Sequence, residues 1–115
     1  MKLKLGQIVG ASEPLGKLIQ EKMPISTAFR VSTVLKKVQG VLENYDESRK
    51  KLIEKYGEDG EIKQESKNWE KFLEEMNELL ATETKLDVEK IKESALSKVE
   101  IAPSDLIAME WLFKK

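Results

Sequence analysis

Residues 26–56 read STAFRVSTVLKKVQGVLENYDESRKKLIEKY, and this stretch decides the fold. Val31, Val38, Tyr45 and Leu52 recur every seven residues, while Val34/Leu35, Val41/Leu42 and Tyr56 fill a second seam. Apolar residues at that spacing share one face of a helix, so the pattern predicts one long amphipathic helix over 26–56. Gly40 is its only internal breaker, and a lone glycine costs about 1 kcal/mol relative to alanine. Met23-Pro24 marks the start, because the residue before a proline avoids the helical region. Ser26 or Thr27 is placed to cap, and Gly57 to terminate. Lys50, Lys51 and Lys55 lie in the last turns, where cations suit the helix dipole. Such a helix is about 46 Å long at 1.5 Å per residue. A compact globule of 115 residues has a radius of gyration near ~13 Å. The helix is therefore expected to project from the globule, to bend, or to lie against a partner.

The flanking sequence supplies the rest of the fold. Gly57-Glu-Asp-Gly-Glu61 is a turn, with Asp59-Gly60 a strong turn dipeptide. A second helix is expected over about 67–81, capped by Ser66 or Asn68. Trp69, Phe72, Leu73, Met76, Leu79 and Leu80 form its stripe. The two helices make an antiparallel hairpin. Glu70, Glu74 and Glu78 repel one another at i,i+4 spacing, which proximity to Arg49, Lys50 and Lys51 would relieve. Lys2-Leu-Lys-Leu5 alternates as a short strand does. Residues 6–22 read as one or two short helices, broken at Gly10 and at Ser12-Glu13-Pro14, with Ser12 a candidate cap. Thr84, Leu86 and Val88 alternate like a strand, yet Val88, Ile91 and Ala95 also fit a helix capped by Asp87. The strand over 84–92 is preferred because the N-terminal strand needs a partner. Lys98-Val-Glu-Ile101 alternates again, and Ala102-Pro103-Ser104 opens a final helix over about 103–113. The predicted fold is a single mainly α domain with a small β element, an α+β arrangement.

Composition narrows the chemistry. The chain carries 20 basic and 21 acidic side chains, no cysteine and no histidine. That excludes disulfides, thiolate ligands, a cysteine nucleophile and the usual general base. Residues 1–57 hold 11 basic and 6 acidic groups; residues 58–115 hold 9 and 15. The near-neutral total therefore hides halves of +5 and −6, expected to pack and neutralise each other. No signal peptide and no span of ~20 apolar residues is present, which suggests a soluble intracellular protein away from membranes.

Candidate catalytic patterns fail one by one. Glu58, Asp59 and Glu61 cluster in a turn but lack the spacing of a calcium loop, so no metal site is expected. Ser48-Arg-Lys-Lys51 matches a Ser-x-x-Lys dyad, but on an exposed helix nothing depresses the lysine pKa. Gly6, Gly10 and Gly16 form no phosphate-binding fingerprint, and no cofactor is implied. The sequence argues against an enzyme. Binding is the better reading, and the side chains singled out for it are Arg30, Lys36, Lys37, Tyr45 and Arg49 on the long helix. A pI of about 5.7 and the interleaved acids argue against nucleic acid. Asp46–Lys50 and Glu47–Lys51 are expected to neutralise part of the distal cluster.

Several stretches resemble a family of small phage and prophage proteins of low-GC Gram-positive hosts. They are Lys2-Leu-Lys-Leu-Gly-Gln-Ile-Val9, Pro14-Leu-Gly-Lys-Leu18, Met23-Pro24, Thr27-Ala-Phe-Arg30 through Leu35-Lys-Lys-Val38, and Asp46-Glu-Ser-Arg-Lys-Lys-Leu-Ile-Glu-Lys-Tyr-Gly57. Phe72, Glu78-Leu-Leu80, Glu83 and Ile101-Ala-Pro-Ser-Asp-Leu106 continue the same order. The family has no assigned function and carries over no catalytic residues. The resemblance implies an accessory protein in the cytoplasm of an infected cell. Three expectations follow. The first is a stoichiometric binder that inhibits a host defence or housekeeping protein. The second is a virion assembly or tail accessory protein self-associating through the long helix. The third is an oligomeric sponge for a nucleotide second messenger.

Overall fold

The structure is a computed structural model that describes residues 1–115. Strand β1 (Lys2–Lys4) runs directly into helix α1 (Leu5–Leu18), followed by the long helix α2 (Ile25–Tyr56) and by α3 (Trp69–Leu80). Strand β2 (Glu83–Lys85), strand β3 (Ile91–Lys92), helix α4 (Pro103–Ala108) and strand β4 (Phe113–Lys114) complete the chain. The fold is mainly helical with two small sheets. β1 pairs antiparallel with β2, setting Leu3 opposite Thr84, and β3 pairs parallel with β4, setting Ile91 opposite Phe113.

Helix α2 spans nearly the whole molecule. Its 32 residues make about 48 Å of helix, against overall dimensions of 51 × 24 × 20 Å. Of the three expected outcomes the helix takes the first and projects. Its buried side chains, Thr27, Val31, Val34 and Val38, all lie in its first half. There they meet Ile8, Ala11, Leu15 and Leu18 of α1. Leu3, Leu86, Ile91, Leu96, Met109, Leu112 and Phe113 close this core from the other side. Val41 and Leu42 still touch this core; beyond them the second half of α2 packs against α3 as an arm, and Phe72 is the one buried residue of α3.

Local chemistry departs from the sequence reading at several points. Helix α1 is continuous through Pro14. An interior proline removes one backbone bond and costs about 3 kcal/mol. Here the bond lost is that to the carbonyl of Gly10, an exposed position that water can reach, and burial of Ala11, Pro14, Leu15 and Leu18 holds the helix together. Ser12 caps nothing; its hydroxyl donates to the carbonyl of Val9 at 2.8 Å. Pro24, with extended backbone, occupies the N-cap of α2, so neither Ser26 nor Thr27 caps it. Asn68 occupies the N-cap of α3 as expected, its carbonyl accepting from the Phe72 N–H at 2.9 Å, but its side chain makes no cap bond and donates instead to the Tyr56 carbonyl at 3.2 Å, tying the two helix ends together.

The C-terminal third differs most. The expected strand over 84–92 is split, because after Leu86 the chain is drawn to α2 by contacts of Asp87 with Lys37. Residues 93–96 form a 3-10 turn, and Lys98–Ile101 forms no strand. The expected helix over 103–113 stops at Ala108; a 3-10 turn over Glu110–Leu112 then swings Phe113 into pairing with β3. In each case a buried side chain outside helical register (Leu86, Ile91, Leu96 or Phe113) decides the local structure over propensity.

The hairpin turn follows its chemistry closely. Asp59 and Gly60 take positive φ, 53° and 77°, as the two central residues of a type I′ turn require. Glu58 and Glu61 exchange backbone hydrogen bonds of 2.8 and 3.0 Å. Gly57 ends α2 with extended backbone, φ −101° and ψ 179°, not left-handed. A side chain is excluded there for another reason: a Cβ would collide with the carbonyl oxygens of Glu61 and Ile53.

Candidate functional site

The five side chains singled out in the sequence do not converge. From Arg30 to Arg49 is about 28 Å of helix axis. Lys36 is exposed, Tyr45 is half-buried, and Arg49 reaches only Asp46, at 3.9 Å. The expected Asp46–Lys50 and Glu47–Lys51 pairs do not form ion pairs; the Asp46–Arg49 contact stands in their region. Arg30 and Lys37 alone come together, in a groove of about 370 Å³ between α2 and the β2–β3 connection. Phe29, Thr33 and Val34 line it from the helix, and Asp87, Val88 and Glu89 from the connection.

Charge in this groove is already partly committed. The Lys37 ammonium donates to the Asp87 backbone carbonyl and lies 3.9 Å from its carboxylate. Lys37 thus fastens the connection to α2. Arg30 has no ion pair within the chain. The expected neutralisation between the two halves of the sequence takes place at three points: Lys17–Asp105, Lys37–Asp87 and Lys55–Glu75.

The sequence reading missed the most exposed apolar groups. Ile25 is 88% and Phe29 73% exposed, one turn apart at the start of α2. The signal was present in the spacing. Phe29 stands two residues before buried Val31, about 200° away around the helix axis, so it cannot share that face. Ile107, 70% exposed on α4, is a second such group. It sits beside a groove of about 540 Å³ against α1.

On the arm, the Lys55 ammonium stands 3.3 Å from Glu75 Oε1 and 5.0 Å from the centre of the Tyr56 ring. The Tyr56 hydroxyl first, and the Lys55 ammonium after it, hold the Glu75 carboxyl below its ordinary range, against an opposing effect of burial. Glu75 Oε2 is shielded and accepts no hydrogen bond of good geometry, so the hydroxyl acts on it as a nearby dipole. Tyr56 and then Glu75 raise the Lys55 ammonium above its ordinary range. Glu70, Glu74 and Glu78 face outward with no ion pair, so the expected relief by Arg49, Lys50 and Lys51 is absent. No helix is long and apolar enough to cross a membrane. Compared with family models, curated proteins and solved structures, the chain matches none.

Proposed function

We propose that this is a non-enzymatic binding protein that docks on another protein, a host factor in the phage setting that its sequence resembles. One observation carries the reading: Ile25 and Phe29 stand largely exposed beside an arginine with no ion pair in the chain. Apolar side chains of this size gain about 1.5–3 kcal/mol each when buried. An aromatic anchor flanked by arginine is the composition in which binding energy concentrates at protein interfaces. The matching partner surface has an apolar pocket for Phe29 and a carboxylate for Arg30. A nucleotide suits the groove less well, because Lys37 is held by Asp87, and Asp87 and Glu89 line the same space.

The test compares the full-length protein with an Ile25→Ser/Phe29→Ser variant in pull-downs from lysate of a low-GC Gram-positive host. A host protein retained in stoichiometric amount by the first and lost from the second is the expected result. Calorimetry with the purified partner should then show binding weakened about 30-fold or more, the loss of one hot-spot anchor. The variant should melt as the parent does, because exposed substitutions rarely exceed about 0.5 kcal/mol. Retention of one partner by both proteins would overturn the surface, and retention of none would overturn the host-factor reading.

A further inference from the structure

We propose that a second copy of this chain docks on the α1–α4 groove in a two-fold symmetric contact. The surface is separate from the Ile25/Phe29 face and does not depend on it. Helix α4 has no buried side chain, yet it carries Leu106 and Ile107, 44% and 70% exposed. Ile107 lines a groove of about 540 Å³ together with Gly10 of α1 and Trp111. A Cβ placed on Gly10 meets no atom within 4 Å, so the space above it is open.

Charge selects the occupant. Lys90 and Glu110 line the same groove, and neither forms an ion pair within the chain. A two-fold contact places the same patch on both sides and therefore requires a self-complementary surface. This patch has an apolar projection, a recess beside it, and one unpaired charge of each sign. Facing its own copy, each Ile107 enters the recess over Gly10 of the partner subunit. Each Lys90 then meets Glu110 of the partner subunit. A basic or an acidic partner would satisfy only one of the two charges. With a net charge of −1, the copies do not repel each other appreciably.

Sedimentation of the full chain tests this directly. The parent should sediment at about twice its 13.2 kDa mass. Gly10→Gln fills the recess where the fold leaves room, and glutamine is a better helix former than glycine. It should give a monomer that melts at or above the parent temperature. Lys90→Glu and Glu110→Lys should each be monomeric, whereas an equimolar mixture of the two should recover the dimer, because only the mixed pair brings opposite charges together at both contacts. A parent that is monomeric at its highest soluble concentration overturns the proposal, as does a dimer that survives Gly10→Gln. A dimer that Ile25→Ser/Phe29→Ser dissociates instead would place the self-contact on α2 and overturn it equally.

Discussion

The two halves of α2 carry the same apolar periodicity and reach different degrees of burial. In the first half, Val31, Val34 and Val38 are 0–3% exposed. In the second half, Val41, Leu42, Tyr45, Leu52, Ile53 and Tyr56 are only half-buried, although all but Val41 are larger side chains. The first half faces α1, which is itself backed by β2, β3, α4 and the C-terminal strand. The second half faces α3, and only the ends nearest the globule, Val41 and Leu42 of α2 and Leu80 of α3 beside Gly6 of α1, have a further layer behind them. A helical stripe therefore specifies which face turns inward, while the number of layers behind it sets how dry that face becomes. The globule should therefore unfold as a cooperative core, and the arm, with fewer buried apolar side chains, should open at lower free energy.

The largest expected effects test that division. Ile8→Ala removes a fully buried side chain from the globule and should cost about 2–5 kcal/mol, a large share of the ~5–15 kcal/mol that a domain has. Denaturation should shift for every probe. Phe72→Ala removes the one buried side chain of α3 and should cost about 3 kcal/mol, confined to the arm. The two tryptophans make the comparison measurable, because Trp69 opens α3 and Trp111 lies beside the globule core. Trp111→Phe leaves Trp69 to report on the arm. It also removes a buried indole N–H that has no hydrogen-bond partner, which makes the replacement mild. Trp69→Phe leaves Trp111 to report on the globule. Phe72→Ala should move the Trp69 transition and leave the Trp111 transition in place. Coincident transitions in both reporters would show that arm and globule unfold as one unit.

Gly57→Ala attacks the arm at its turn. The new methyl meets the carbonyls of Ile53 and Glu61, which are backbone atoms fixed by the helix end and by the Glu58–Glu61 bridge. A cost of about 1–3 kcal/mol is expected, again on the Trp69 reporter alone. Gly60→Ala should cost less, about 1 kcal/mol, because only its positive φ opposes the side chain and the space around it is open.

The sequence displayed the arm more clearly than the globule, and the reason is physical. The arm depends on local signals: a heptad stripe, the Trp69–Leu80 stripe and Asp59-Gly60. The periodicity expected the long helix over 26–56, and it spans Ile25–Tyr56. The second helix was expected over 67–81 and spans Trp69–Leu80. The pairing of the N-terminal strand with a later one was also legible, from the need of Lys2–Leu5 for a partner. The C-terminal third depends on non-local contacts. Nothing local shows that Ile91 pairs with Phe113, or that Asp87 is captured by Lys37, fifty residues away in the chain. The candidate site suffered from a different bias. Reading for charge singled out Arg30, Lys36, Lys37, Tyr45 and Arg49, but charged helix faces are ordinarily solvated. Ile25, Phe29 and Ile107 carry the more specific message, because apolar groups left in water are the anomaly.

The smallest expected effect concerns the ion pair that joins the arm helices. The Glu75 carboxyl is held below its ordinary value of 4.5, so the fold favours its ionised form. Its contribution is complete above that value and is lost as pH falls through the lower folded one. The Lys55 ammonium is raised above its ordinary 10.5, so its contribution is complete below 10.5 and is lost as pH rises through the folded value. Arm stability should therefore be flat between these two ordinary values and decline outside them on both sides. Both groups are partly exposed, so the change should be smaller than that of Phe72→Ala. In the Trp111→Phe background, Glu75→Gln should flatten the acid limb of the Trp69 denaturation midpoint, and Lys55→Met the alkaline limb. Retention of both limbs in the double variant would mean that the arm draws its pH response from other groups.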